Sequence, residues 1–116
     1  MKKPPKLIAL IKRKSGISLQ DFIHHYENNH APLVASLLPY SATYVRNYVF
    51  EDAQIQPLPA MGGDYDVVTE VTFASLQDFE AFKEGAARPD VIEKIQQDER
   101  NFLEQDKTRL LIVQPY

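Results

Sequence analysis

Two short runs at opposite ends of the chain, Lys6–Arg13 and Arg109–Gln114, are apolar on both of their alternating sides. In the first, Leu7, Ala9 and Ile11 alternate with Ile8 and Leu10, between Pro4-Pro5 and Ser15-Gly16. Branched apolar residues between turn-forming residues, in runs this short, read as strands. A strand that is apolar on both sides must be covered on both faces. The chain therefore has to build a sheet with something packed against each side of it.

The segments between supply one of those covers. Ser18-Leu-Gln-Asp21 resembles a capping box, with Asp21 in the place of the usual Glu or Gln. Leu19, Phe22, Ile23, Tyr26 and His30 then form one helical stripe, with Asp21, His24, His25, Glu27 and Asn28 on the other side. Pro32 is expected to interrupt this helix, because the residue before a proline avoids helical geometry. Helix can resume through Leu33, Leu37 and Leu38 as far as Pro39. Ala42–Phe50 reads as a strand with Tyr44, Arg46, Tyr48 and Phe50 on one face, followed by a loop over Asp52–Asp64 rich in Pro and Gly. Tyr65–Phe73 reads as a third strand, with Asp66, Val68, Glu70 and Thr72 on one face. Ser75 caps a helix anchored by Phe79 and Phe82, which Gly85 is expected to break. A second helical segment is expected from Pro89 to about Gln105.

The order is β-α-β-β-α-β, the ferredoxin-like α+β unit: a four-stranded antiparallel sheet with helices on one face. No element is left to cover the other face. The economical solution is a second copy, sheet on sheet, in a two-fold homodimer. The 116 residues fit one domain over 1–116. With no Cys, the chain has no disulfide, thiolate nucleophile or Cys-held metal. Its formal net charge of −3 argues against nucleic-acid binding, which needs a basic face. Behind Met1-Lys2-Lys3, Leu7–Ile11 is too short for a signal peptide or membrane helix, so no membrane partner is expected and the cytoplasm is the expected location.

Few residues stand out chemically. His30 continues the inward stripe, and an imidazole near neutrality accepts and returns protons readily. Tyr26 lies four residues earlier on the same stripe. A structural role for His30, capping the interrupted helix, fits the same spacing. His24 and His25 fall off the stripe and read as surface residues. Neither is well spaced from His30 to share a helix face, so no metal is expected. Asp66 and Glu70 sit among apolar neighbours, where carboxylates need partners. Arg46 is the obvious partner for one of them. They form an ion pair at the sheet, or one of them orients His30 or a substrate hydroxyl. Tyr44 and Tyr48 flank Arg46 and line an aromatic pocket or simply pack. Asp98, near Phe102 on the second helix, can approach the same space or stay at the helix surface. No phosphate loop, nucleotide fingerprint or nucleophile elbow is present.

The succession of Lys6-Leu-Ile-Ala-Leu-Ile-Lys-Arg-Lys14, Asp21-Phe22, Tyr26-Glu-Asn-Asn-His-Ala-Pro-Leu33, Tyr44-Val-Arg-Asn-Tyr48, Tyr65-Asp66 and Asp98-Glu-Arg-Asn-Phe-Leu103 resembles the EthD family of dimeric α+β barrel proteins. The Tyr-x-x-x-His-Ala-Pro block is its most specific part. The resemblance implies a homodimer with a pocket between each subunit's sheet and helices. Its wider superfamily includes cofactor-free monooxygenases, cyclases, lactone isomerases and haem enzymes, so the fold leaves the reaction open. The reading that combines residues and resemblance is a cofactor-independent lyase or isomerase. It would act on a small apolar or aromatic carbonyl compound, with His30 as general acid/base and Tyr26 beside it. Tyr44, Arg46, Tyr48, Asp66 and Glu70 are the candidate substrate-binding residues. A small monooxygenase, or an accessory protein to one, and a non-catalytic metabolite binder are the alternatives.

Overall fold

A computed structural model describes residues 3–49 and 64–116. Strand β1 spans Lys6–Ile11. After the turn at Gly16, whose φ of 88° suits a residue without a Cβ, helix α1 runs Leu19–His25. Ser18 caps α1 by accepting the Asp21 N–H. The chain passes directly into a π-helical turn, Tyr26–His30, and on into helix α2, Ala31–Leu37. Strands β2, Thr43–Tyr48, and β3, Val67–Thr72, follow. Helices α3, Leu76–Ala86, and α4, Pro89–Glu99, form the second crossover, and β4, Arg109–Val113, completes the fold. The sheet is antiparallel throughout, in the order β2-β3-β1-β4. This is the ferredoxin-like α+β arrangement that the element order predicts.

Register decides which side chains meet. Leu7, Ala9 and Ile11 lie opposite Val71, Thr69 and Val67, and Tyr44, Arg46 and Tyr48 lie opposite Val71, Thr69 and Val67 in turn. This face meets the helices, and its centre is the cluster Ile11, Phe22, Tyr26, Ala31, Val67, Phe102 and Leu103. Ile8, Glu70 and Val45 lie across from one another on the opposite, open face. The helical layer does not cover β4. Leu110 and Ile112 are 61% and 54% exposed on the helix side, and Leu111 is 48% exposed on the open side.

Three boundaries differ from expectation. Pro32 does not interrupt the helix. The wider π turn before it moves the preceding carbonyls clear of a ring that would clash in a continuous α helix. Gly85 does not break α3, which continues to Ala86. Its role is close approach, since a Cβ there would lie 2.7 Å from Leu38 Cδ2. Helix α4 ends at Glu99 rather than near Gln105, yet Phe102 and Leu103 still enter the core from the turn that follows. The loop expected over Asp52–Asp64 lies, except for Asp64, outside the described residues.

Candidate functional site

The stripe on α1 and the π turn carries Phe22, Tyr26 and His30 inward, at 0%, 2% and 5% exposure. Tyr26 reaches the sheet. Its hydroxyl is 2.7 Å from Thr69 Oγ1, and the Tyr44 hydroxyl donates to it over 3.5 Å. Burial pushes the Tyr26 and Tyr44 phenols up, so both stay protonated. Beside them, Arg46 holds Glu27 through two bonds, Nε to Oε2 at 2.9 Å and Nη2 to Oε1 at 2.8 Å. Tyr48 donates to the same carboxylate over 2.6 Å. The Arg46 bond keeps the Glu27 carboxyl below the usual range, more than offsetting its partial burial.

His30 faces the other way, toward α4. Its Nδ1 is 2.8 Å from Asp98 Oδ2, while His25 Nε2 is 3.1 Å from Asp98 Oδ1. Both imidazoles rest on Phe102, with ring centres 4.7 Å away for His25 and 4.9 Å for His30. The Tyr26 ring meets His30 edge-on at 5.6 Å and so joins the two clusters. Burial pulls the His30 pKa down against the opposing pull of Asp98, which keeps the ring neutral at pH 7. Burial raises the Asp98 carboxyl, but the bonds and charges of His30 and His25 outweigh it and the net shift is downward. His30 Nε2 has no hydrogen-bond partner among the described residues. Among those residues, no group of three or more His, Cys, Asp or Glu side chains is arranged to hold a metal ion.

The structure brings Tyr26, His30, Tyr44, Arg46 and Tyr48 into one continuous set of contacts and leaves Asp66 and Glu70 outside it. Arg46 pairs with neither of those carboxylates. Its register opposite Thr69 turns it toward the helices, whereas Glu70 lies opposite Val45 on the open face. Glu70 accepts from Lys6 over 2.9 Å and from Asn47 over 3.3 Å. Asp66 precedes β3 and is 6% exposed. It accepts the Arg13 backbone N–H over 2.7 Å and lies 3.6 Å from Lys12 Nζ. It therefore ties the end of β1 to the start of β3.

His25 is not a bare surface residue: it lies three positions after Phe22 on α1 and reaches Asp98 and Phe102. The π turn that follows brings His30 round to the same carboxylate, a convergence that counting on a continuous α helix conceals. Glu27 and Thr69 are further members that sequence reading did not single out. The space between helices and sheet beside Tyr26 is filled by Phe22 and Phe102 rather than open. Surface clefts lie elsewhere. One of about 360 Å³ is bordered by Gln96, Leu103 and Leu110, and one of about 300 Å³ by Lys14, Gly16 and Lys107.

The family model of the EthD domain matches residues 14–106. A hypothetical protein from Arabidopsis thaliana is similar over 100% of this chain and 93% of its own, at 23% identity and a TM-score of 0.63. An EthD family protein from Bacillus halodurans is similar over 97% of this chain and 98% of its own, at 20% identity and a TM-score of 0.66. A dimeric ferredoxin-like protein of unknown function from Thermobifida fusca covers 99% of this chain and 93% of its own, at 15% identity and a TM-score of 0.63. No curated protein matches the sequence. At these identities the solved structures speak to the fold alone.

Proposed function

The chain belongs to the EthD family, and from that premise we propose that it is a cofactor-independent enzyme of proton transfer in which His30 is the general acid/base. The substrate is a small apolar or aromatic carbonyl compound. The reaction is of lyase or isomerase type: a dehydration, decarboxylation or rearrangement. The observation that carries this reading is a buried, neutral imidazole with Nδ1 bonded to a carboxylate and no protein partner at Nε2 among the described residues. A neutral imidazole with one nitrogen engaged and the other available is the form that removes a proton beside a carbonyl. To polarise the carbonyl oxygen, Tyr26, a protonated phenol against the His30 ring, exchanges its bond to Thr69 for one to the substrate. Thr69 holds the Tyr26 hydroxyl with Tyr44 near by, while Arg46 and Tyr48 hold Glu27 beside it.

The working unit in this proposal is a cytoplasmic homodimer of one domain per chain, without a nucleic-acid or membrane partner. The exposed apolar residues of β4 and the dimeric description of a similar fold support the second copy. No helix among the described residues is long and apolar enough to cross a membrane.

The test does not require the product to be known. A panel of small aromatic and aliphatic ketones is incubated with the protein in D₂O, and exchange of the C–H beside the carbonyl is followed by proton NMR. His30→Ala should slow exchange by ~10²-fold or more, the scale of one positioned acid/base. Tyr26→Phe keeps the ring and tests the hydroxyl alone. Full exchange in His30→Ala would remove the catalytic assignment. Oxygen uptake with turnover would point to a monooxygenase, and stoichiometric binding without turnover to a carrier.

A further inference from the structure

The hydrogen bonds around His30 have a direction that can be worked out from one end. The Asn29 side-chain nitrogen lies 3.3 Å from His25 Nδ1. An amide nitrogen donates and does not accept, so His25 Nδ1 is the acceptor. Neutral His25 then carries its proton on Nε2, which donates to Asp98 Oδ1 over 3.1 Å. Asn101 approaches that same oxygen with its side-chain nitrogen, at 3.4 Å. The other carboxylate oxygen, Oδ2, faces His30 Nδ1 at 2.8 Å. An ionised carboxylate only accepts, so the proton of neutral His30 lies on Nδ1.

The backbone makes this convergence possible. His25 and His30 are five residues apart, and the Ala31 N–H bonds to the Tyr26 carbonyl in the i→i+5 pattern of a π turn. Such turns are rare and occur frequently at functional sites. Phe102 then fixes both ring planes from one side.

We propose that Asp98 is the positioning residue that holds His30 in the tautomer protonated at Nδ1, so that Nε2 is the basic nitrogen a ligand meets. The inference rests on His30 being the proton acceptor of the proposed reaction. It assigns the accepting atom, and it also selects for substrate. A ligand seated there must present a hydrogen to Nε2, as an acidic C–H or a hydroxyl, rather than a bare acceptor. The proton taken up by Nε2 makes His30 an imidazolium whose charge Asp98 offsets. The charged and titratable groups around the ring are Asp98 and Glu99 from α4, His25 from α1 and the Tyr26 phenol from the π turn.

The experiment reads the tautomer in the ligand-free protein. Histidine labelled with ¹⁵N is followed by long-range proton–nitrogen correlation at pH 8. In the unaltered chain, His30 should show the protonated, pyrrole-like shift at Nδ1 and the unprotonated, pyridine-like shift at Nε2. In Asp98→Asn, His25 and Asn101 both donate to the Oδ1 position, so the amide oxygen stays there and its NH₂ meets His30. The two His30 nitrogens should then exchange their shifts completely. The same logic makes an Asp→Asn change beside a catalytic histidine produce the wrong tautomer in serine proteases. His25→Phe keeps the ring against Phe102 and leaves both carboxylate oxygens as acceptors, so the His30 shifts should not move. Should Asp98→Asn fail to fold, Asp98→Ala removes the acceptor and should abolish the preference for Nδ1–H. Protonation at Nε2 in the unaltered chain would overturn the proposal. So would retention of Nδ1–H in a folded Asp98 variant, or exchange in His25→Phe. These readings involve no ligand, so they stand or fall separately from the turnover test of His30→Ala.

Discussion

Phe102 is the residue on which core and candidate site depend together. It is 0% exposed. Its ring centre lies 5.5 Å from Phe22, 4.7 Å from His25, 5.4 Å from Tyr26 and 4.9 Å from His30. Truncating a buried Phe to Ala costs ~3–5 kcal/mol, and the cost rises when neighbours cannot collapse into the void. Three of these four neighbours are tethered. His25 and His30 are bonded to Asp98, and Tyr26 to Thr69. Phe102→Ala should therefore fall in the upper half of that range, about 4–5 kcal/mol. With a urea slope of ~2 kcal/mol per molar, the unfolding midpoint should drop by about 2 M. Phe102→Leu retains aliphatic bulk and loses mainly the ring–ring contacts, worth ~0.5–1.5 kcal/mol per pair and not additive. It should cost about 1–2 kcal/mol and leave the chain folded with the His30 resonances broadened. Equilibrium urea unfolding followed by circular dichroism measures both. If Phe102→Ala cost under ~1.5 kcal/mol, or if Leu cost as much as Ala, the tethered-neighbour argument would be wrong.

Two further outcomes are expected. Sedimentation equilibrium should give twice the chain mass, and Leu111→Glu or Val45→Lys on the open face of the sheet should shift it toward the monomer; an unaltered chain that stays monomeric at high concentration refutes the homodimer. Acid should destabilise the fold in two stages. Because burial lowers the His30 pKa, the unfolded chain takes up that proton first, so this contribution is intact above the unfolded value of ~6.5 and is lost as pH falls through the lower folded value. The lowered Asp98 carboxyl adds a second loss that begins only near its unfolded value of ~3.9. In His30→Asn, unfolding free energies between pH 7.5 and 5.5 should fall less steeply than in the unaltered chain, and equal slopes would contradict that sign.

The strands and their faces were legible because alternation with a period of two survives any tertiary context. Val67, Thr69 and Val71 share the buried side of β3 as that period requires. The inward stripe of Phe22, Tyr26 and His30 was legible for the same kind of reason. Pairings across the sheet were not. Alternation showed that Arg46 shares a face with Tyr44, and Asp66 with Glu70, but not whether those two faces are the same side of the sheet. Only the register between β2 and β3 decides that, and it puts Arg46 with Glu27. Gly85 was misleading for a different reason. Glycine weakens an isolated helix, but here it leaves room for Leu38, whose Cδ2 would have to shift to admit a Cβ 2.7 Å away. Propensity was overruled by packing.

The candidate site was the least legible part because its geometry depends on one extra residue in a helical turn. In an α helix, positions three and four apart are neighbours and positions five apart are not. By that rule His25 and His30 belong on different faces. The rule fails only over Tyr26–His30, where the backbone closes i→i+5. Constraints on both sides of the turn favour this exception. Ahead of it, Phe22 and Tyr26 are fixed against the sheet side by Val67 and Thr69. Behind it, Pro32 has no N–H to give and carries a ring that crowds the carbonyl four residues earlier. A π turn relieves the second constraint without moving the first. His25 and His30 then reach the same carboxylate, Asp98, on a helix that arrives some seventy residues later in the chain. The Tyr-x-x-x-His-Ala-Pro pattern is thus more than a spacing of reactive groups. Its proline favours the turn that lets two imidazoles share one acid, and the aromatic residue at its head anchors that turn to the sheet.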